Sequence, residues 1–297
     1  MGYPMVQNLA KKLSAETRIF IHDVNQASME KLYAEYPSQL TQSKSASEVF
    51  SQSDVILTML PEGRHVRSVY MDPDTSLNTM NLKDKIMIDC STIDVDSSLA
   101  VKEYITQIES TASFYDAPVS GGVEGAALGN LAFYIGIDPD DKNFDTVLAL
   151  TSLMGNTDKI IPCGKPSAGL VAKITHNYLG GVMNVACCET MNLGISAGLD
   201  PHVLYRVLVA GASRNPLIEH LNPVPGLVEK APSSRGYEPG FRASLMAKDV
   251  ALALKMAQLY DSQLVLGSAT SDLYQQALPK FGDRDFTVLY RLFAKQS

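Results

Sequence analysis

The 297-residue chain has little of what several functional classes require. It has no basic excess: the formal net charge is −7, with no cluster of Lys or Arg, which disfavours nucleic acid and anionic membranes as partners. No apolar run reaches the roughly 18 residues of a membrane span. Its four cysteines, Cys90, Cys163, Cys187 and Cys188, show neither CxxC nor Cys/His metal spacing, and they are too sparse for a disulfide framework. They read as structural thiols of a reducing compartment, with no metal site expected. No signal or transit segment, internal repeat or low-complexity tract is visible. A strand ahead of the first helix is also missing. The chain opens MGYPMVQNLAKKL, where Met5, Val6, Leu9 and Leu13 form the buried stripe of an amphipathic helix.

What is present alternates. Strand-like runs are expected at Thr17–His22, Asp54–Leu60, Lys85–Cys90, Ser113–Ala117, Leu131–Gly136 and Asp158–Pro162. Helical patterns lie between several of them, at Ala27–Tyr36, Arg64–Tyr70, Val95–Glu109 and Asp141–Met154. That alternation predicts a parallel or mixed sheet with helices on both faces. From Pro166 the strands stop. Ser167–Ala197 reads as one long helix, apolar nearly all round and therefore buried, followed by helices at Pro201–Ala210, Phe241–Tyr260 and Val265–Leu278. Segments NPVPG (Asn222–Gly226) and APSSRGYEPG (Ala231–Gly240) punctuate this half. Two domains are expected, 1–162 and 163–297: an α/β Rossmann-like domain whose first strand is missing, then an all-α domain entered through the long helix.

Candidate site residues follow from these elements. Asp23 ends a strand about 20 residues after Gly2, the spacing at which an acid hydrogen-bonds a ribose 2′-hydroxyl and repels a 2′-phosphate. A turn-forming Asp before Val24-Asn25 is the alternative. Leu60-Pro61 and Cys90-Ser91-Thr92 end strands, where open α/β sheets bind ligands, although ordinary loop chemistry would produce the same residues. In DAPVSGG, Gly121 and Gly122 let backbone N–H groups approach an anion, and Ser120 adds a hydroxyl; the plainer reading is a flexible loop. Lys173 and Asn177 lie four apart on one face of an otherwise apolar helix. A Lys there either snorkels to solvent or transfers protons beside a polar orienter. A desolvated setting favours the neutral amine that a base needs. His176 adjoins them on another face. Lys248-Asp249 and Arg214 read as solvated charges unless other residues converge on them.

Taken together, these stretches resemble the 3-hydroxyisobutyrate dehydrogenases, within the β-hydroxyacid dehydrogenase family that also holds 6-phosphogluconate dehydrogenase. The carriers, in order, are MLP (Met59–Pro61), IDCSTID (Ile88–Asp94), FYDAPVSGGVEGAALGNLAF (Phe114–Phe133), AKITHN (Ala172–Asn177), ETMNLGISAGLDP (Glu189–Pro201), NPVPG (Asn222–Gly226) and LMAKD (Leu245–Asp249). The resemblance implies a Rossmann domain holding NAD and a helical domain that builds a homodimer or homotetramer. It implies Lys173 as catalytic acid/base, Asn177 as substrate positioner and Ser120, Gly121 and Gly122 as the carboxylate site. Gly2, Asp23, Leu60, Pro61, Thr92 and Lys248 would touch the cofactor, with Asp23 favouring NAD over NADP. The implied reaction is oxidation of 3-hydroxyisobutyrate to methylmalonate semialdehyde, a step of valine breakdown. The implied location is mitochondrial by analogy with eukaryotic relatives, otherwise cytoplasmic.

Three departures stand out. Of the family's opening strand and GLGxMG, only Met1-Gly2 is present, as expected of a chain cut inside its dinucleotide motif. Ser167 stands where the family usually has Gly, a change expected to be benign. The residues after Arg214 differ, which bears on substrate choice. Two alternatives therefore stay open: a glyoxylate- or succinic-semialdehyde-type reductase of the same fold, which would prefer NADPH and carry an Arg after the second strand, and a non-catalytic homologue unable to hold dinucleotide.

Overall fold

The computed structural model describes residues 1–75, 77–238 and 240–294. The chain enters on helix α1 (Gly2–Lys12), which buries Met5 and Leu9 and places Lys11 and Lys12 in its last turn, where cations complement the helix dipole. Asn8 donates from Nδ2 to the carbonyl of Ala126 at 2.7 Å, and Lys12 Nζ reaches the carbonyl of Leu153 at 2.7 Å. Then come β1 (Ile19–Ile21), α2 (Gln26–Glu35), β2 (Leu40–Gln42), α3 (Ala46–Gln52), β3 (Val55–Thr58) and α4 (Gly63–Met71). They are followed by β4 (Ile86–Asp89), α5 (Val95–Ile108), β5 (Ser113–Asp116), β6 (Val119–Ser120) and α6 (Gly122–Ala127). β7 (Leu131–Ile135), α7 (Phe144–Ser152) and β8 (Gly155–Pro162) complete the α/β part.

Strand β1 pairs in parallel with β2, and β3, β4 and β5 form a parallel sheet in that order. The third sheet is mixed: β6 runs antiparallel to β7, and β7 parallel to β8. All four residues of β4 are buried, as a central parallel strand requires. In β7, Leu131, Phe133 and Ile135 point into the core while Ala132 and Tyr134 face away. Side-chain caps open several helices, with Asn25, Asp94 and Asp200 each accepting a first-turn N–H.

The second part is helical: α8 (Ala168–Ser196), α9 (Pro201–Ala210), α10 (Pro216–Glu219), α11 (Ala243–Leu259) and α12 (Gly267–Phe281). Backbone contacts divide the chain into two compact units, Met1–Lys173 and Ile174 onward. The core of the second joins Cys188 and Met191 of α8 to Leu204, Val250 and Tyr274. Fully buried Asn184 donates to Tyr274 Oη and to the carbonyl of Phe286, both at 3.0 Å, which satisfies a polar group that would otherwise be costly to bury. No helix among the described residues is long and apolar enough to cross a membrane.

The expectations need correcting at a few places. Strand β2 and the two-residue β6 are additional, and DAPVSGG, for which a flexible loop was only the plainer alternative, runs from the end of β5 through β6 to the start of α6. The long helix is not buried all round: Leu179 and Leu193 are 58% and 72% exposed. In the segment Ala231–Gly240, Pro239 lies outside the described residues.

Ser167, just ahead of α8, has φ +63°. This left-handed conformation is one that favours Gly, and it means the Ser carries strain. Ser167→Gly is expected to be more stable than Ser167→Ala by about 1 kcal/mol, because both lose the hydroxyl and only Gly relieves the strain. Thermal unfolding of the two variants measures this as a gap of roughly 2–4 °C; equal melting temperatures would contradict it.

Candidate active site

In the first unit, Asp23, Leu60, Pro61 and Thr92 follow the carboxyl ends of parallel strands, and Gly2 opens α1. The Asp23 side chain follows β1 and is exposed. Its Oδ1 accepts the N–H of Asn25 at 2.8 Å, so the turn-forming role and availability to a ligand coexist in one carboxylate. Gly2 is the first residue of α1, and a Cβ there would come no closer than 3.9 Å to Met59. Leu60 and Pro61 follow β3, and Thr92 follows β4.

A buried network ties the last two tips together. The N–H of Leu60 donates to Ser91 Oγ at 2.8 Å, and Ser91 Oγ donates to Asp89 Oδ1 at 2.6 Å. Thr58 donates to the same oxygen at 2.7 Å and is itself within 3.1 Å of the buried Tyr70 hydroxyl. Gly63 allows the start of α4 to press against Asp94 and Ser97 at the start of α5; a Cβ would collide with the Asp94 carboxylate. The Leu60 and Thr92 backbones are thus held in register by side chains beneath them.

Asp89 is the strained member. It is 1% exposed, and its Oδ2 has no hydrogen-bond partner among the described residues. Burial pushes its carboxyl up from 3.8 to about 6, against the pull of the bonds from Ser91 and Thr58 and with a smaller push from the charge of Asp116. The folded state therefore keeps this proton to higher pH than the unfolded chain does. The resulting penalty is absent below about pH 4, develops between about pH 4 and 6 and is complete above, reaching about 3 kcal/mol. Asp89→Asn keeps the Oδ1 acceptor and never ionises. Urea unfolding of the two proteins is expected to show the variant gaining about 3 kcal/mol relative to the parent between pH 4 and 7. A difference that does not change with pH would contradict this.

Ser120 ends β6 with Gly121 (φ +134°) and Gly122 (φ +66°) after it, and a Cβ on Gly122 would meet nothing within 4 Å. The backbone is therefore open beside Gly122, whereas a Cβ on Gly121 would press on Leu131 at 3.2 Å. Tyr134 hydrogen-bonds the Ser120 side chain, a partner that spacing alone did not suggest. Ser120 and Gly121 line an open cavity of about 370 Å³ together with Glu124, Asn130, Tyr134 and Lys159.

Helix α8 carries Lys173 and Asn177, 5% and 7% exposed, so Lys173 does not snorkel. His176 is exposed, and Arg214 is an exposed partner of Glu219 at 2.8 Å. In the second unit, Asn177 Nδ2 donates to Asp249 Oδ2 at 2.6 Å. Asp249 is itself 2% exposed, and Lys248 Nζ lies 3.3 Å from its other oxygen, within ion-pair range but without hydrogen-bond geometry. Gly181, one turn along, makes this approach of α11 possible, since a Cβ there would press on Val250 and Met246 at about 3 Å. Lys248-Asp249 is thus no simple solvated pair, because the acid fixes the amide of Asn177 with its oxygen left to accept.

The chain matches two family models along nearly its whole length. Residues 1–164 match the NAD-binding domain of 6-phosphogluconate dehydrogenase, and residues 167–293 the NAD-binding domain of NADP-dependent 3-hydroxyisobutyrate dehydrogenase. It is 36% identical over 294 residues to an NAD-dependent L-serine dehydrogenase of Pseudomonas aeruginosa, covering 99% of this chain and 94% of that one. It is 34% identical to a probable mitochondrial 3-hydroxyisobutyrate dehydrogenase of Dictyostelium discoideum, covering 99% and 88%. A Mycobacterium tuberculosis 3-hydroxyisobutyrate dehydrogenase solved with L-serine superposes with a TM-score of 0.88 at 31% identity, over 99% of this chain and 96% of that one. With both halves matched and relatives above 30% identity covered nearly end to end, the chain belongs to the 3-hydroxyisobutyrate dehydrogenase family of NAD-dependent hydroxyacid dehydrogenases, and NAD is its cofactor.

Proposed function

We propose that this chain oxidises 3-hydroxyisobutyrate, or a closely similar 3-hydroxy acid, to the corresponding semialdehyde, and so serves valine breakdown. The observation that carries the reading is the buried pair Lys173 and Asn177 on one helix face, with the Asn177 amide fixed by Asp249. Bound NAD supplies the hydride acceptor. Gly2, Asp23, Leu60, Pro61, Thr92 and Lys248 would hold it, with Asp23 toward the ribose hydroxyls. Ser120, Gly121 and Gly122 would hold the substrate carboxylate through a hydroxyl and backbone N–H groups.

The roles follow from what each group can donate or accept. Asn177 Nδ2 is committed to Asp249, so its Oδ1 is left to accept from the substrate hydroxyl and aim it. Lys173 Nζ, as the neutral amine, takes the hydroxyl proton while the carbinol carbon gives up its hydride and the C–O bond becomes a carbonyl. In the reverse direction the same ammonium returns the proton. The Asn177–Asp249 bond fixes the orienter before substrate arrives, and such preorganisation lowers the entropy cost of reaching the reactive geometry.

L-serine is a second reading, favoured by the L-serine dehydrogenase relative and by the L-serine in the mycobacterial structure. It is also a 3-hydroxy acid, so the same acid/base and carboxylate contacts would serve it. Side-by-side kcat/KM measurements with NAD decide. 3-Hydroxyisobutyrate is expected to exceed L-serine by at least ~10-fold, the discrimination available to a pocket that tells a methyl from an amino group. A reversed ratio would make this a serine dehydrogenase. Turnover confined to semialdehyde reduction with NADPH would point to the reductase instead.

A further inference from the structure

We propose that Asp116 is a positioning residue for Lys173: from the end of β5, its carboxylate clamps the first turn of α8 and sets where the Lys173 amine lies. The inference rests on the reading of Lys173 as acid/base. Asp116 is 2% exposed, and each of its oxygens takes a different donor of the helix start. Oδ1 accepts the N–H of Ser167 at 2.7 Å, and Oδ2 accepts the N–H of Leu170 at 2.8 Å. Such donors at a helix start have no partner within the helix, and a cap normally comes from the residue just before it. Here that residue, Ser167, has left-handed backbone and a hydroxyl turned to Ser98 Oγ at 3.3 Å. The cap comes instead from a strand about 50 residues earlier in the chain.

The clamp is tight on both sides. A Cβ on Gly136, at the end of β7, would collide with Asp116 Oδ1, and one on Gly169 would collide with the Tyr134 carbonyl and lie 2.9 Å from Asp116 Oδ2. The N–H of Gly136 in turn donates to the Asp116 carbonyl at 2.8 Å, which locks β5 to the strand beside it. Lys173 is three residues after Leu170, on the same helix face and about 4.5 Å further along the axis. One turn of helix therefore links the carboxylate to the amine, and a negative charge at that end suits the helix dipole.

A double-mutant cycle tests the assignment. kcat is measured with NAD and the better of the two hydroxy acids for the parent, Asp116→Asn, Lys173→Ala and the double variant, normalised to folded protein by circular dichroism. Asp116→Asn is expected to lower kcat ~10–100-fold, since a displacement near 1 Å costs that much, with the KM for NAD within about threefold. In the Lys173→Ala background the same change is expected to cost less than about twofold, because its effect runs through the missing amine. Gly136→Ala, which displaces the carboxylate without removing it, is expected to give the same pattern and stands in if Asp116→Asn does not fold. Amide hydrogen exchange is the readout free of turnover: Leu170–Lys173 should exchange at least ~10-fold faster in Asp116→Asn while residues around Asn184 stay unchanged. Equal kcat losses in both backgrounds, uniform acceleration of exchange, or parental kcat would overturn the clamp. Near-parental turnover in Lys173→Ala alone would overturn the acid/base role on which it rests.

Discussion

Lys173→Ala is expected to lower kcat at least ~100-fold, the low end of what a positioned acid/base group contributes. The KM for NAD should stay within about threefold, because the amine is assigned to the substrate hydroxyl and not to the dinucleotide. The physical basis is burial. A long, charged-when-wet side chain is expensive to hold at 5% exposure, and the fold does so on the helix face that also carries Asn177. A merely structural Lys would be replaceable by Met, which has similar length and apolar character. Lys173→Met is therefore expected to restore melting temperature relative to Lys173→Ala without restoring kcat. Steady-state kinetics and thermal unfolding of the two variants check both halves, and recovered turnover in the Met variant would refute the proton-transfer role.

The second large effect concerns cofactor choice. Asp23→Ser is expected to lower the kcat/KM ratio of NAD over NADP by roughly 10–100-fold, chiefly by admitting NADP. The carboxylate is exposed beyond the end of β1, pinned by the Asn25 N–H, and would meet a 2′-phosphate as like charge against like charge. Because the site is exposed, salt screens it, so the parent's preference should shrink as ionic strength rises while the variant's stays flat. Comparing the two cosubstrates at low and high salt measures both effects. An unchanged ratio in Asp23→Ser would reduce Asp23 to its turn.

Much of this was legible from residue order, and the gaps have specific causes. The stripe of Met5 and Leu9 announced α1, and the apolar run around Ile86–Asp89 announced a buried strand. β2 escaped notice because Leu40–Gln42 carries two polar residues, and its pairing with Ile19–Ile21 is what holds it in a sheet. β6 is two residues long and exists through its ladder to Ala132 and Phe133. The apolar circumference of α8 suggested complete burial, yet its inward stripe holds Lys173, Asn177 and Asn184 while Leu179 and Leu193 face out.

The site divides the same way. The four-residue spacing of Lys173 and Asn177 is local and could be read directly. What positions each residue is not local. Asn177 meets Asp249 across 72 residues of sequence, and Asp116 meets the start of α8 across 51 and 54. Asp89 reads as an ordinary strand residue in IDCST, and only its burial shows a carboxyl pushed up to about 6 beneath the ends of β3 and β4. Ser167 looked like a harmless replacement, and its positive φ reveals the strain.

In the proposed reaction a hydride moves from a 3-hydroxy acid to NAD with Lys173 as the base. The measurement that tests it most directly is NADH appearance at 340 nm, with NAD and racemic 3-hydroxyisobutyrate as sole substrates, for the parent and Lys173→Ala side by side. Steady NADH formation is expected from the parent, with a rate at least ~100-fold lower in the variant. Equal rates in the two proteins, or a folded parent that binds NAD and forms no NADH, would contradict it.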